Sequence, residues 1–325
     1  MTADVLPVVP SLDMNKAPLT VSGPYTHENL TIFLFHANDQ IDGSRYISLK
    51  KALEKKKVRV YETGTVGQLE AENLSKTVDI FIQAGDVLKG GRQDRTLEID
   101  FIIPARSGRL PIPTFCVESG RWHKRRGEDD RHFGSSSHSI HAKEMRLATK
   151  AARDQNAVWQ SVAASQEALG AALNKSVLAS ASPTSYQLSV EDPDLEKRKR
   201  DYKEKLGRLP KGAADVVGYA FYVNGERNSV DSYASTKLFH QLWEKLLNIA
   251  ILEAISAQNG KAAVPNKADV DAWLKQAAKA QPRDKKNAAP CTRVETKTYE
   301  NGVVFETFDE AVGDHVLLHR NVISH

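Results

Sequence analysis

Short apolar segments bounded by turn residues are the feature that most limits how this chain can fold. They recur between Leu30 and Val117, and glycine, proline or polar residues separate each one from the next. The stretch from Thr96 to Ile103 also alternates apolar and polar side chains, which places its apolar residues on one face of a strand. Because such short, β-prone segments favour strands over helices, the first third of the chain is expected to form an antiparallel or mixed β core.

Helical patterns dominate the middle of the chain and return near its end. Residues 140–206 carry apolar side chains at helical spacing, and a longer periodic segment over 233–258 predicts the longest helix. An Asn-Gly pair at 224–225 predicts a hairpin before that helix, and a second pair at 301–302 predicts another. Asn266, with Asp269 three residues later, is a variant of the capping box that begins a helix. These patterns predict an α+β protein with a β core in the N-terminal third, a helical middle, and a C-terminal hairpin plus long helix.

The domain organisation follows from the order of these patterns. Residues 1–24 lack the basic and apolar regions of a signal peptide and are rich in proline, threonine and serine, so a flexible leader is expected. The remaining chain, 25–325, is expected to form a single large α+β domain that is β-rich over 25–126, helical over 140–206, and made of a hairpin and helices over 215–325. The glycine- and serine-rich residues 127–139 predict a mobile loop, and residues 281–290 predict a polar linker.

The charge balance argues against strongly electrostatic partners. The 325 residues include 45 basic and 41 acidic side chains, which gives a net charge of +4. This near balance gives no reason to expect a nucleic acid or a membrane surface as a partner. No apolar run reaches the roughly 18 residues of a membrane-spanning helix. No cofactor motif is present, and neither the oligomeric state nor the cellular location, including export after removal of a signal segment, follows from the sequence.

A dense set of charged side chains surrounds the glycines at positions 85, 90 and 91. Glycine there lets the backbone bend tightly or approach a ligand closely. Arg92 and Arg95 offer planar forks for carboxylate or phosphate, Lys89 adds a point charge, and Gln93 is both a donor and an acceptor. Since no Gly-Lys-Ser/Thr follows the glycines, the stretch predicts an anion-recognition loop other than a P-loop. The alternative is a strand–turn–strand unit whose buried Arg–Asp pairs hold the loops together.

A second charged group follows the strand predicted at 112–117. It consists of Glu118, Arg121 and Trp122, a carboxylate beside an arginine and an aromatic ring. In such a group the carboxylate can act as a general base, and the aromatic ring can stack on a ligand. Asp86 or Glu118 would then act as the catalytic acid or base, while the arginines hold an anion and Trp122 stacks on it. An ion pair beside a packed tryptophan is the structural alternative.

Metal and nucleophile motifs are weak in this chain. The histidines at 123, 132, 138 and 141 match no closed zinc spacing, so no metal site is expected. The sequence has no Gly-x-Ser-x-Gly, and a serine triad is not expected either. The two cysteines, Cys116 and Cys291, could form one long-range disulfide or stay as free buried thiols, because only geometry decides between these states.

The charged segments also resemble a known bacterial family. The similarity lies in Gly85-Asp86 through Arg95, in the Cys-Val-Glu-x-Gly-Arg-Trp motif that ends at Trp122, in Val158-Trp159, in the hairpin over 218–231, and in the helix over 238–255. The family it resembles is the ARG-and-rhodanese-phosphatase-superfamily-associated protein domain family. Its name reflects gene association with ADP-ribosylglycohydrolases and with rhodanese- and phosphatase-type proteins. The resemblance therefore implies a context of ADP-ribose or nucleotide handling, and it implies no catalytic residues.

Two functions remain open from the sequence. The first is a pocket for an anionic, nucleotide-related ligand, used for binding or for hydrolysis. The second is a non-enzymatic interaction or structural module whose charged cluster holds the fold together. The two differ in whether the charged side chains of both segments converge on one spot that solvent reaches.

Overall fold

The computed structural model describes residues 19–125, 127–129, 131–257, 260, 263–288, 290–312 and 316–325. The strands in these residues are β1 (Thr20–His27), β2 (Leu30–His36), β3 (Tyr46–Ser48), β4 (Val58–Thr65), β5 (Gln68–Asn73), β6 (Asp79–Ile82), β7 (Asp86–Gly90), β8 (Arg95–Leu97), β9 (Phe101–Ile103), β10 (Arg109–Cys116), β11 (Phe133–Ser139), β12 (Val216–Val223), β13 (Glu226–Tyr233), β14 (Gln281–Ala288), β15 (Thr292–Tyr299), β16 (Gly302–Asp309) and β17 (Val316–Ser324). The helices are α1 (Leu49–Glu54), α2 (Lys143–Leu147), α3 (Gln155–Leu173), α4 (Tyr186–Val190), α5 (Pro193–Leu206), α6 (Thr236–Ser256) and α7 (Lys267–Ala277), with a π-helix at Ala148–Ala152.

The described residues form two compact units. The first draws on residues within 1–44, 205–240 and 259–325, and the second on 45–204 and 241–258. Helix α6 begins in the first unit and continues in the second. Both units combine helices with antiparallel sheet, so the α+β class predicted from the sequence is confirmed.

The first unit is built on one eight-stranded antiparallel sheet. Its strand order is β1-β2-β12-β13-β17-β16-β15-β14, so the N-terminal hairpin pairs beside the hairpin at 224–225. Asn224 and Gly225 both have positive φ, 51° and 78°, as the tight turn between β12 and β13 requires. Helix α7 packs on this sheet through Trp273, whose ring centroid lies 5.5 Å from that of Tyr222.

The second unit contains two smaller sheets. A six-stranded antiparallel sheet runs in the order β11-β7-β8-β10-β5-β4. A three-stranded sheet, β3-β6-β9, pairs β3 with β6 in parallel and β6 with β9 antiparallel. The tight turn after β7 depends on Gly91, which has φ of 56° and lies against the ring of Phe133, so that a Cβ there would stand 2.3 Å from the ring.

The alternating stretch from Thr96 to Ile103 is not one strand. It divides into β8 and β9, which lie in different sheets. Between them Asp100 turns its carboxylate back to accept the backbone N–H of Ala84 at 2.8 Å. The two parts are strands, as the alternation predicted, but residues 98–100 between them belong to neither strand, and this break was not predicted.

Several polar segments are strands although their composition predicts loops. The expected mobile loop over 127–139 contains β11, which pairs with β7. The expected linker over 281–290 contains β14, the outermost strand of the large sheet. Strand β1 begins at Thr20, within the last part of the expected leader, and residues 1–18 lie outside the described residues. The helical region expected over 140–206 begins with the short helix α2 and the π-helix, and the longer helix α3 follows at Gln155.

Two further findings concern the cysteines and the helices. Cys116 and Cys291 are free, buried thiols. Across the part of the chain that the structure describes, no helix is both long enough and apolar enough to cross a membrane.

Candidate functional site

The pairing of β8 with β10 brings the two charged segments of the sequence together. Cys116 at the end of β10 lies opposite Arg95 at the start of β8. The chain after β10 therefore passes over the turn between β7 and β8. The side-chain amide of Gln93 donates to the carbonyl of Glu118 at 3.1 Å, and the backbone N–H of Asp94 donates to its carboxylate at 3.0 Å.

Two carboxylates and two guanidinium groups form a buried cluster at this crossing. We call Asp94, Glu118, Arg121 and Arg125 the arginine–carboxylate cluster. Arg125 bridges both acids, with Nη2 at 2.6 Å from Asp94 Oδ1 and Nη1 at 3.1 Å from Glu118 Oε1. Arg121 Nη2 lies 2.6 Å from Glu118 Oε2. All four residues are at least nine-tenths buried, so these charges neutralise one another away from water.

The electrostatics of the cluster keep Glu118 ionised and Arg125 protonated. Burial alone would raise the pKa of Glu118, but the hydrogen bonds from Arg121 and Ser182 outweigh it and lower that pKa. Burial opposes the charge of Arg125, yet the hydrogen bond and charge of Asp94 dominate and raise its pKa. An ionised Glu118 has no proton to donate as a general acid.

Arg95 is fully buried and only partly satisfied. Its Nη1 donates to the backbone and side-chain oxygens of Gln93, at 3.3 and 3.0 Å. Nε and Nη2 have no hydrogen-bond acceptor among the described residues, and the carboxylate of Glu62 lies 3.8 Å from Nη2. A buried donor without an acceptor costs about 1–3 kcal/mol. This arginine therefore holds unused hydrogen-bonding capacity.

Trp122 lies beside the buried arginine and is itself exposed to solvent. Its side chain is 42% exposed, which is unusual for a tryptophan. The guanidinium of Arg92 lies 5.4 Å from its ring centroid and that of Arg95 lies 5.8 Å from it. Arg92 itself is exposed. We call these three residues the tryptophan surface.

The other two predicted site residues have their partners elsewhere. Asp86, at the start of β7, is buried, and its carboxylate lies 2.7 Å from Lys245 Nζ and 2.8 Å from the Ser139 hydroxyl. Lys89 pairs with Glu191 at 2.6 Å. Among the described residues, neither Asp86 nor Lys89 contacts the tryptophan surface, and a catalytic role for Asp86 stays a prediction.

The histidines considered as metal ligands have separate contacts. His132 pairs with Asp129 at 2.7 Å. His138 Nε2 lies 2.8 Å from the buried Lys199 Nζ. His141 Nδ1 lies 2.8 Å from the hydroxyl of Tyr186.

Sequence reasoning missed two members of the arginine–carboxylate cluster. Asp94 lies between the predicted site residues Gln93 and Arg95, so its position in the sequence could have identified it as a member of the site. Arg125 follows an exposed lysine in a basic run, and nothing in that run distinguishes the buried arginine. Only the crossing of the two segments identifies it.

Comparison with known proteins identifies the family. A family model described as ARG and Rhodanese-Phosphatase-superfamily-associated Protein domain matches residues 18–325, which is nearly the whole chain. Comparisons with curated proteins and with solved structures give no match. The matched span includes both charged segments and both compact units. The chain therefore belongs to the ARG and Rhodanese-Phosphatase-superfamily-associated Protein domain family.

Proposed function

We propose that the tryptophan surface binds a small anionic ligand that carries a planar ring, of the nucleotide or ADP-ribose kind. The observation that carries this proposal is Arg95, a buried guanidinium with two nitrogens that lack a hydrogen-bond acceptor in the described chain. Its neighbours Trp122 and Arg92 are exposed, so a ligand can contact their side chains, and it would reach the covered nitrogens of Arg95 when the Trp122 ring shifts.

The chemistry of the three side chains suits such a ligand. A guanidinium binds phosphate or carboxylate oxygens through paired N–H groups, and the charge of a buried guanidinium is weakly screened by solvent. A base stacked on an aromatic side chain contributes about 1–3 kcal/mol to binding. Arg92 would contact the anion from the exposed side, while Trp122 supplies the flat surface for the ring.

The geometry favours binding over hydrolysis. Glu118 is held ionised by Arg121 and Arg125, and Asp86 is paired with Lys245. Both carboxylates that could have acted as acid or base are engaged in buried ion pairs. We therefore propose no reaction at the tryptophan surface. The association in the family's name makes ADP-ribose the first probe to use.

Titration calorimetry with ADP-ribose, AMP and uncharged adenosine tests this proposal. Trp122 is the most exposed of the four tryptophans, so quenching of its fluorescence gives a second readout. We expect ADP-ribose and AMP to bind more tightly than adenosine. We expect Trp122→Ala and Arg92→Ala each to weaken binding about tenfold, the equivalent of roughly 1.4 kcal/mol.

A matched control comes from a second arginine on an aromatic ring. Arg109 lies 3.7 Å from the ring centroid of Tyr61, and its side chain is 55% exposed. Arg109→Ala removes a similar pair without touching the tryptophan surface, and we expect it to leave binding unchanged. The proposal fails if the folded wild-type protein binds none of the anions at millimolar concentration, or if Arg109→Ala weakens binding as much as Arg92→Ala.

A structural role is the second candidate, and the arginine–carboxylate cluster favours it. Its four members pair with one another and are nearly inaccessible to solvent. In that case the cluster stabilises the crossing of the two segments and the tryptophan surface binds nothing. Titration calorimetry separates the two candidate functions, because only ligand binding at the tryptophan surface would release or absorb heat when an anion is added.

A further inference from the structure

A cavity of about 600 Å³ lies in the second unit, apart from the tryptophan surface. Helix α3, the segment around α2 and the end of α6 line it, mostly with alanine and serine side chains. His141 also lines this cavity, together with Ser165 and Ser256. The small side chains leave space, and the wall also carries a histidine, hydroxyls and carboxylates that can take part in chemistry.

The hydrogen bonds around Tyr186 fix the tautomer of His141. The Tyr186 hydroxyl has one proton, which it donates to the Ser139 carbonyl at 2.9 Å. The same oxygen accepts the backbone N–H of His141 at 3.0 Å. His141 Nδ1 lies 2.8 Å from this oxygen. Because the only proton of the hydroxyl is already donated to Ser139, Nδ1 must be the donor in this hydrogen bond. The network thus assigns the proton to Nδ1 and leaves a lone pair on Nε2.

The free lone pair of His141 meets two serine hydroxyls. Ser165 Oγ and Ser256 Oγ each lie 3.3 Å from Nε2, and neither makes another hydrogen bond within the described part of the chain. Ser165 is buried on α3, whereas Ser256 is only partly buried at the end of α6. A third serine of the same wall, Ser161, uses its hydroxyl on the Ala157 carbonyl at 2.8 Å. Ser256 is thus the hydroxyl that is both beside the base and open to an entering molecule.

We propose that this cavity is an acyl-transfer site in which Ser256 is the nucleophile, His141 is the general base, and Tyr186 is the positioning residue that holds the imidazole. A nucleophile within hydrogen-bond reach of a base that a third group orients is the arrangement that activates serine. This site is independent of the proposed anion binding and uses none of its residues.

The reaction is ester hydrolysis in two balanced steps. Ser256 Oγ attacks the carbonyl carbon of the ester, and its proton passes to His141 Nε2 and then to the departing alcohol as the carbon–oxygen bond breaks. Water then attacks the acyl group on Ser256, gives its proton to His141, and releases the carboxylic acid as the serine recovers its proton. Solvent supplies the only co-reactant.

The surroundings indicate the substrate class. Alanine and serine walls favour a small, uncharged acyl group. The exposed Glu144 lines the same cavity and disfavours anionic substrates, whereas the charge of Glu253 is paired with Arg146 at 3.2 Å. Burial lowers the pKa of His141 to about 3, so the ring is neutral at physiological pH. Because His141 is such a weak base, we expect slow turnover. Covalent labelling of the serine is therefore a more sensitive assay than product formation.

Labelling with a small alkyl fluorophosphonate tests the proposal, with intact mass and peptide mapping as the readout. We expect one adduct on Ser256 in the folded full-length protein. Ser256→Ala should lose it, while Ser161→Ala, a serine of the same wall whose hydroxyl is already bonded, should keep it. Small p-nitrophenyl esters should show a burst of one equivalent before slow turnover.

Tyr186→Phe separates positioning from packing. The substitution keeps the aromatic ring at position 186 but removes the hydroxyl that holds Nδ1 of His141. We therefore expect labelling to slow at least tenfold across the pH range, while circular dichroism shows that the variant remains folded. Unchanged labelling in that folded variant would overturn the role of Tyr186. Absence of an adduct on the wild-type protein, equal labelling of Ser256→Ala, or an adduct on Ser165 instead would overturn the proposal itself.

Discussion

Arg125 is the residue on which the buried charges depend most. It contacts Asp94 through two nitrogens, at 2.6 and 2.9 Å, and it also reaches Glu118 and Glu128. Removing one partner of a buried ion pair is far more damaging than exchanging the whole pair, because a charge is left without compensation. The stability of the segment crossing is therefore concentrated in one guanidinium.

Arg125→Met should lower the free energy of unfolding by about 3–5 kcal/mol, because Asp94 loses its principal counter-charge. Urea denaturation measures the change. Arg59→Ala, which removes an exposed arginine from the same unit, is the control and should change stability by less than about 0.5 kcal/mol. Equal stability of Arg125→Met and the wild type would show that the cluster contributes nothing to the fold.

The convergence of Arg95, Glu118 and Trp122 followed from strand pairing, which sequence patterns can anticipate. Antiparallel neighbours bring the end of one strand to the start of the other, and β8 and β10 do so here. Asp86 could not be assigned in this way. It lies at the start of β7, and at about 3.3 Å per residue a strand of five residues separates it from the turn. Proximity in sequence was a poor guide to proximity in space.

At the scale of elements, local signals were reliable where side-chain and backbone chemistry agreed. The capping box of α7 is present as predicted, with Asn266 Oδ1 accepting the Ala268 N–H at 2.8 Å and Asp269 accepting the Asn266 N–H at 2.8 Å. Both predicted hairpins are present, and Asn224-Gly225 forms the turn of the first. In the second, the turn residues are Glu300 and Asn301, because Gly302 already pairs with Tyr299 at the start of β16. Strands β11 and β14 were missed because serine-rich and charged segments resemble loops until a neighbouring strand supplies their hydrogen bonds.

Asn266→Ala should destabilise the first unit by about 1 kcal/mol, since the first turn of α7 loses its acceptor. Thermal denaturation followed by far-ultraviolet circular dichroism measures it. Lys267→Ala, one position along and outside the capping box, is the comparison and should have little effect. A melting temperature equally lowered by both substitutions would count against capping as the cause.

At the scale of the whole molecule, buried histidines connect stability to pH. Burial lowers the pKa of both His138 and His141 from 6.5, in the latter to about 3. Below pH 6.5 the unfolded chain therefore binds more protons at these two positions than the folded protein does. The stabilisation that comes from keeping the two rings neutral is therefore fully present above pH 6.5 and is lost as the pH falls.

We expect His141 to lower the free energy of unfolding by up to about 1.4 kcal/mol per pH unit between pH 6.5 and 5, with a contribution of the same sign from His138. Urea titrations at pH 7.5, 6.5 and 5.5 measure this slope. His138→Gln should reduce it, and His132→Gln, which replaces an exposed histidine, should not. Stability that rises from pH 7 to pH 5.5 would contradict the expectation.

The architecture of the whole chain was less accessible to sequence reasoning than its elements. The α+β class followed from hydrophobic periodicity, which depends on neighbouring residues alone. The grouping of the described residues of 1–44 with those of the distant segments 205–240 and 259–325 depends on long-range strand pairing, such as that of β2 with β12. No local pattern records which strand pairs with which across 180 positions or so.

Strand β14 has a consequence for the behaviour of the protein in concentrated solution. Its exposed side chains include Arg283, Asp284 and Lys285, and Pro282 has no N–H to offer. An edge strand that is charged and contains a proline pairs poorly with a strand of a second copy of the protein. The hydrophilic composition that made this strand look like a loop in the sequence thus also protects this edge of the eight-stranded sheet against edge-to-edge aggregation.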